Sequence, residues 1–362
     1  MTTRLHVLLG DGGVGKTTLA ASYAFGLARR GGRVALLSVD PARRLQGALG
    51  LALTEDAVSV PGAANLHAAV LMPETTLRRW ATAGLPSARA RDRLLNNRFF
   101  RVIADRLGAT TDVIAAVRVA EWIEQDPSLT DVVIDTAPGR SGIEFLLRPG
   151  ALVALLQGRL VMWLRRLAGG ASHAAEVEHS HGLSARVLRG LGHVAGIEML
   201  VELAALVSVV EQPFHQVLSR LEQAEAWIRQ ASTRILLVTT IREDAVPAAR
   251  VLRDALRHTR LAPTAVVVNQ TLSTDLGLEL VHVDESVLDA EALAVMQYVR
   301  GYLEIQSSVL ADARALAPRL IAVPSLPGLD SDLRRDKLGE LGERLCAALT
   351  NSGRDAASTD PG

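Results

Sequence analysis

The chain has 362 residues, 49% of them hydrophobic and 22% charged. That length and composition fit one large α/β domain or two ordinary ones and exclude an intrinsically disordered chain. The formal net charge is zero, which argues against nonspecific nucleic-acid binding, because that needs a basic surface.

The first element is a short apolar run, residues 4–10, that ends in glycine and reads as a buried strand. Residues 16–32 carry apolar side chains at helical spacing and stop at a glycine pair. Residues 33–40 form a second buried run. Strand, glycine loop, helix and strand make a βαβ unit, which implies a parallel sheet. Further strands are expected at 66–72, 131–138, 234–240, 264–270 and 319–325. Helical patterns fall between them, among others at 88–107, 112–125, 213–231, 244–259 and 333–349. The Val, Ile and Leu runs are continuous rather than alternating, as strands covered on both faces require. The expected fold is an α/β P-loop sandwich. It has a mostly parallel sheet of about seven or eight strands, helices on both faces and a helical insertion.

The insertion is residues 143–212, which contain no convincing strand. Two apolar stretches, 151–167 and 194–210, flank a polar connection at 168–184. Charges interrupt both, and neither reaches the roughly twenty apolar residues of a membrane span. Glu198 and Glu202 share one helix face and leave the rest apolar. The α/β domain is then 1–142 with 213–349, and the small polar residues of 350–362 are expected to form a disordered tail. The N-terminus reads as lacking a signal peptide, which places the chain in the cytoplasm, with peripheral membrane attachment left open.

The chemistry starts in "GDGGVGKTT", residues 10–18. Gly10, Gly12, Gly13 and Gly15 let the backbone curl, with Val14 between them, so that several N–H groups face one phosphate chain. The helix that follows, entered through Thr18, aims its positive end at the same place. Lys16 is placed to reach the β- and γ-phosphates, and the Thr17 hydroxyl to bind Mg²⁺. Only two lysines occur in the chain, Lys16 and Lys337, the rest of the positive charge being arginine.

Two carboxylates follow. Asp40 leaves the second strand at the sheet edge where ligands of open α/β sheets bind. It could orient an attacking water, or simply form an Asp-Pro turn. Asp135 ends an apolar strand in "VVIDTAP", a place from which an acid holds magnesium through water.

These motifs, with "VVVNQ" at 266–270 and "VPSLPG" at 323–328, resemble the arsenite-pump and tail-anchored-protein-targeting ATPase family, a branch of the deviant Walker A ATPases. The resemblance implies an ATP- and Mg²⁺-dependent hydrolase. Asp40 is then the switch I residue that positions water, and Asp135 the switch II magnesium acid. Asn269 reads adenine, and Pro324 lies near the base. It also implies a dimer with two ATPs across the interface, each insertion forming half of a surface for a hydrophobic client or a membrane protein. The apolar helices of 143–212 suit that surface, and they equally suit plain core.

The chain departs from the family at several places. Asp11 stands where the family carries its signature lysine, which crosses the dimer to the partner's nucleotide. After Pro138 the family's Thr-Gly-His-Thr is replaced by Gly139, Arg140, Ser141 and Gly142. Arg140 supplies a cation from a new position, or is a surface arginine. A slow ATPase, one half of a heterodimer with a lysine-bearing relative and a nucleotide-gated scaffold that hardly turns over all remain open. The single cysteine, Cys346, reads as a core residue. It excludes an arsenite-specific thiolate site and the family's zinc CxxC. A last expectation concerns His173, His179 and His181 beside Glu176 and Glu178, a polar stretch that is either solvated or a metal site.

Overall fold

A computed structural model describes residues 3–40, 44–82, 87–96, 111–156, 215–273, 288–325 and 331–350. Its strands are β1 (Arg4–Gly10), β2 (Val34–Ser38), β3 (Val58–Val60), β4 (Ala63–Val70), β5 (Asp131–Asp135), β6 (Arg234–Thr240), β7 (Ala265–Thr271) and β8 (Leu320–Pro324). They form one sheet in the order β3-β4-β2-β5-β1-β6-β7-β8. Every neighbouring pair is parallel except β3 with β4. Seven strands coincide with expected runs. The eighth, β3, is three residues long and too short to show a periodicity. It pairs with β4 across a turn at Pro61-Gly62, where Gly62 has φ 85°.

The helices are α1 (Lys16–Arg29), α2 (Arg44–Leu49), α3 (Pro73–Thr82), α4 (Ala88–Asn96), α5 (Thr111–Gln125) and α6 (Arg140–Leu156). Helix α7 covers 215–228, followed by α8 (Ala245–Arg257), α9 (Ala290–Ala313) and α10 (Ser331–Thr350). The chain divides into two compact units. The first holds Met1–Leu71, Asp126–Glu144 and Trp227–Gly362; the second holds Met72–Gln125 and Phe145–Ala226. The expected insertion is described only to residue 156, and that part is helical in α6; the stretches at 157–212, with Glu198, Glu202, the His173–His181 cluster and the tail 351–362, lie outside the described residues.

The first unit contains the whole sheet. Leu8, Leu36, Val133, Leu236 and Val267 belong to the apolar cluster with α1 and α10. Their neighbours Val7, Leu37, Ile134, Leu237 and Val266 point to the opposite face and are equally buried. Both faces are therefore covered, which is why the strands read as continuous apolar runs. Helix α10 approaches α1 at two glycines: a Cβ on Gly342 would stand 1.8 Å from the Ser22 carbonyl oxygen. Cys346 is buried in the same cluster, and burial pushes its thiol up to about 11. In the second unit, Glu121 on α5 accepts hydrogen bonds from Arg79 (3.1 Å), from the Trp80 indole (3.3 Å) and from Arg118. That buried carboxylate joins α3 to α5.

Candidate nucleotide-binding site

The chain leaves β1 to build β2 and β4 on one side, then returns through β5 and continues past β1 to β6, β7 and β8 on the other. Such a reversal opens a crevice at the carboxyl ends of the strands. The parallel register aligns those ends: Leu8 and Ser38 both lie opposite Asp135, Gly10 opposite Val238, and Thr240 opposite Asn269.

The glycine loop sits at this edge. Gly13 and Gly15 have φ of 77° and 87°, a left-handed conformation that side chains other than glycine rarely adopt. A Cβ at Gly15 would stand 2.2 Å from the Asn269 amide nitrogen, and one at Gly10 would stand 2.4 Å from the Val238 carbonyl oxygen. Gly12 has no such constraint. Val14 is buried in the core and anchors the loop. Gly15 is the N-cap of α1, without a side-chain cap, so the first N–H groups of that helix face the loop.

A cavity of roughly 360 Å³ opens on the loop. Gly13, Gly15, Lys16, Thr17 and Thr18 line it, together with Asp40 and Arg44. Lys16 is buried, and its ammonium donates to the Asp11 carbonyl at 2.8 Å. Burial lowers the lysine's pKa, while Asp135, Asp40 and Asp11 oppose that and hold the proton on. Asp135 is fully buried; the Ser38 hydroxyl donates to its Oδ2 at 3.0 Å, and Oδ1 has no hydrogen-bond partner among the described residues. Burial pushes its pKa up to about 6, against the hydroxyls of Thr17 and Ser38 and the charge of Lys16. Asp40 is buried, and its Oδ2 faces the Arg44 guanidinium at 3.4 Å.

Two residues assigned to the base lie elsewhere on the edge. The Asn269 side-chain amide donates to the Val14 carbonyl at 2.9 Å, bracing the loop. Pro324 ends β8 opposite Thr271, exposed and outside the cavity lining. The segment that follows Asp135 is tied to β1 and the loop as well. The Gly139 N–H donates to the Gly10 carbonyl at 2.9 Å, and the Thr136 hydroxyl to the Leu8 carbonyl at 2.6 Å. Asp11 is half-buried, and its carboxylate accepts the Gly12 N–H at 2.8 Å. Arg140 is exposed at the first position of α6. Arg44 is the charged lining residue, among the described residues, that the motifs did not single out; in an arginine-rich chain only its place beside Asp40 distinguishes it.

The sequence profile of the family described as Anion-transporting ATPase matches residues 3–184, half of the chain and the part that holds the loop, Asp40 and Asp135. The chain belongs to the anion-transporting ATPase family. Relatives include proteins called ATPase get3. That of Schizosaccharomyces pombe (strain 972 / ATCC 24843) is 32% identical over 145 residues, which is 40% of this chain and 42% of the relative. Those of Aspergillus terreus and Aspergillus niger are each 33% identical over 153 residues, 42% of this chain and 44% of the relative. The chain thus spans less than half the length of the curated relatives it matches.

The cofactors of such anion-transporting ATPases are ATP with Mg²⁺, and the residues here fit both. The orphaned Asp135 Oδ1, buried beside Thr17, is an acceptor that a hydrated cation would satisfy. The first turn of α1, which no side chain caps at Gly15, leaves backbone N–H groups that a phosphate would satisfy.

Proposed function

We propose that this chain binds Mg²⁺·ATP at the β1–α1 loop and hydrolyses it. The observation that carries this reading is the convergence of Lys16, Thr17 and Asp40 on one cavity at the N-terminus of α1, with Asp135 tied in through Thr17. Lys16 and the loop N–H groups neutralise and orient the phosphates. Thr17 and Asp135 would hold the Mg²⁺, which would supply positive charge to offset the negative charge of the phosphates. Asp40 orients the water that attacks the γ-phosphate, and ADP and phosphate leave. Asn269 braces the loop through its amide, which leaves its carbonyl oxygen to accept from an adenine amino group. Pro324 belongs at the rim near the base.

The working unit in this reading is a dimer in the cytoplasm, either two copies or one copy with a related ATPase. The ATPase domain is 1–142 with 213–349. The apolar insertion 143–212 presents a client surface that nucleotide-driven closure reshapes, for a hydrophobic segment of another protein or a membrane protein. Among the described residues no helix is long and apolar enough to cross a membrane.

A second reading rests on Asp11, which puts a carboxylate where the resemblance calls for a phosphate-seeking lysine. In it the chain is a weakly hydrolytic, ATP-gated subunit whose partner supplies the lysine.

Calorimetric titration with Mg²⁺·ATP tests the site. Lys16→Ala is expected to weaken binding at least tenfold, about 1.4 kcal/mol or more. Unchanged affinity would remove the loop from the account. Asp40→Asn is expected to keep binding and lose turnover; turnover at the parent rate would remove Asp40 from its role.

A further inference from the structure

The cavity on the loop is lined by two cations among the described residues, Lys16 and Arg44. Lys16 belongs to the phosphate-binding motif. Arg44 belongs to no motif, yet it stands at the start of α2, two strands away from the loop in the sheet order, and closes the same space. The two cations are near enough that the guanidinium disfavours the charge on Lys16. Like charges converging on one cavity, at a helix N-terminus rich in N–H donors, make a site for a multiply charged anion.

We propose that Arg44 binds the γ-phosphate of the nucleotide and that Asp40 holds it in reserve. This rests on the nucleotide site proposed above and deepens it. The Asp40–Arg44 pair is loose, at 3.4 Å, with the guanidinium more than half exposed, so it is weak and easily exchanged. A terminal phosphate carries more charge than the carboxylate and accepts both arms of the guanidinium fork. When the phosphate takes the guanidinium, Asp40 is released from that ion pair and can accept a hydrogen bond from the attacking water. The pair therefore couples the presence of a third phosphate to the readiness of the water-orienting residue. It also restores the positive charge that Asp11 removes from the loop, and does so from within the chain.

The test is binding without turnover. The full chain is titrated, with Mg²⁺, with ADP and with the nonhydrolysable triphosphate adenylyl-imidodiphosphate. The variants are Arg44→Ala, Arg44→Lys, Asp40→Asn and Lys16→Ala. Arg44→Ala is expected to weaken the triphosphate at least tenfold and ADP less than twofold. Arg44→Lys keeps the charge and recovers part of the loss, which a variant that merely disturbs folding would not do. Asp40→Asn releases the guanidinium and tightens the triphosphate relative to ADP. An equal loss for both nucleotides, or no loss, with Lys16→Ala still abolishing binding, overturns the role of Arg44 and leaves the nucleotide site standing. If the parent chain binds neither nucleotide, the site itself fails and this inference falls with it.

Discussion

At position 11 a carboxylate occupies a loop built for anions, and the fold turns it inward. Its oxygen is engaged by the Gly12 N–H, and it lies 3.6 Å from where a Cβ on Gly139 would stand. A second negative charge about 4 Å from a phosphate costs on the order of 1–4 kcal/mol at effective dielectrics of 80 to 20. Asp11→Lys is therefore expected to raise the hydrolysis rate about tenfold, corresponding to about 1.4 kcal/mol at the transition state; a kcat unchanged in steady-state assays would place the limit elsewhere. Asp135 makes a second prediction. Its folded pKa, about 6, is above that of an ordinary carboxylate. The folded state therefore binds the proton more tightly, a contribution fully present below pH ~4 and lost as pH rises through about 6, where the buried charge becomes a cost. Asp135→Asn should raise stability by about 1–3 kcal/mol at pH 8 and leave it unchanged near pH 4, read from melts without Mg²⁺. It should also abolish stabilisation by Mg²⁺·ATP. The loop glycines, Lys16, Thr17, Asp40 and Asp135 were legible in the sequence because phosphate chemistry demands those types at fixed spacing. Arg44 was not, since no spacing marks one arginine among many. Nor was the Asn269 brace, which depends on a bulge after Asn269 where Gln270 takes φ 61°.

Strand β1 carries a different chemistry at its other end. His6 is fully buried, with one ring nitrogen 2.7 Å from Asp131 on β5 and the other 3.2 Å from the Tyr23 hydroxyl on α1. Arg4 grips both oxygens of Asp131, at 2.9 and 3.0 Å, and Arg234 on β6 donates to Tyr23. Burial lowers the His6 pKa despite Asp131. Burial alone would raise Asp131, but the bonds from His6 and Arg4 outweigh it and hold that carboxyl at about 2. In both cases the unfolded chain binds more protons, so stability drops as the solution is made more acidic. The His6 contribution begins to go below about pH 6.5. That of Asp131 goes between about pH 4 and 2 and is worth about 1–3 kcal/mol. Urea melts from pH 7 to 3 should show this loss, and Asp131→Asn should flatten its lower part. Between elements, Gly342→Ala would drive a methyl group into the Ser22 carbonyl and is expected to cost about 1–3 kcal/mol or more, seen as a lower Tm. Seven strands were legible because burial on both faces forces continuous apolar runs. Strand β3 was too short to read. Helix α9, 24 residues long, was not among the patterns singled out; its exposed Val295, Tyr298 and Ile305 blur the contrast between its faces.

On the scale of the whole molecule, the proposed nucleotide site lies in the unit that contains the sheet. All four groups proposed for catalysis and metal binding come from the carboxyl ends of β2 and β5 or the start of α1, and all fall within the half of the chain that the family profile matches. Strands β6 to β8 add Asn269 and Pro324 and cover the far side of β1. The fold class was therefore readable from strand runs alone, whereas the nucleotide site needed both the motif and the sheet order that gathers its parts. The central claim is that this edge hydrolyses ATP. Steady-state hydrolysis of Mg²⁺·ATP by the purified chain, with Lys16→Ala as the blank, tests it most directly. The account predicts a rate clearly above that blank, abolished by Asp40→Asn and dependent on Mg²⁺. A rate equal to the blank would contradict it.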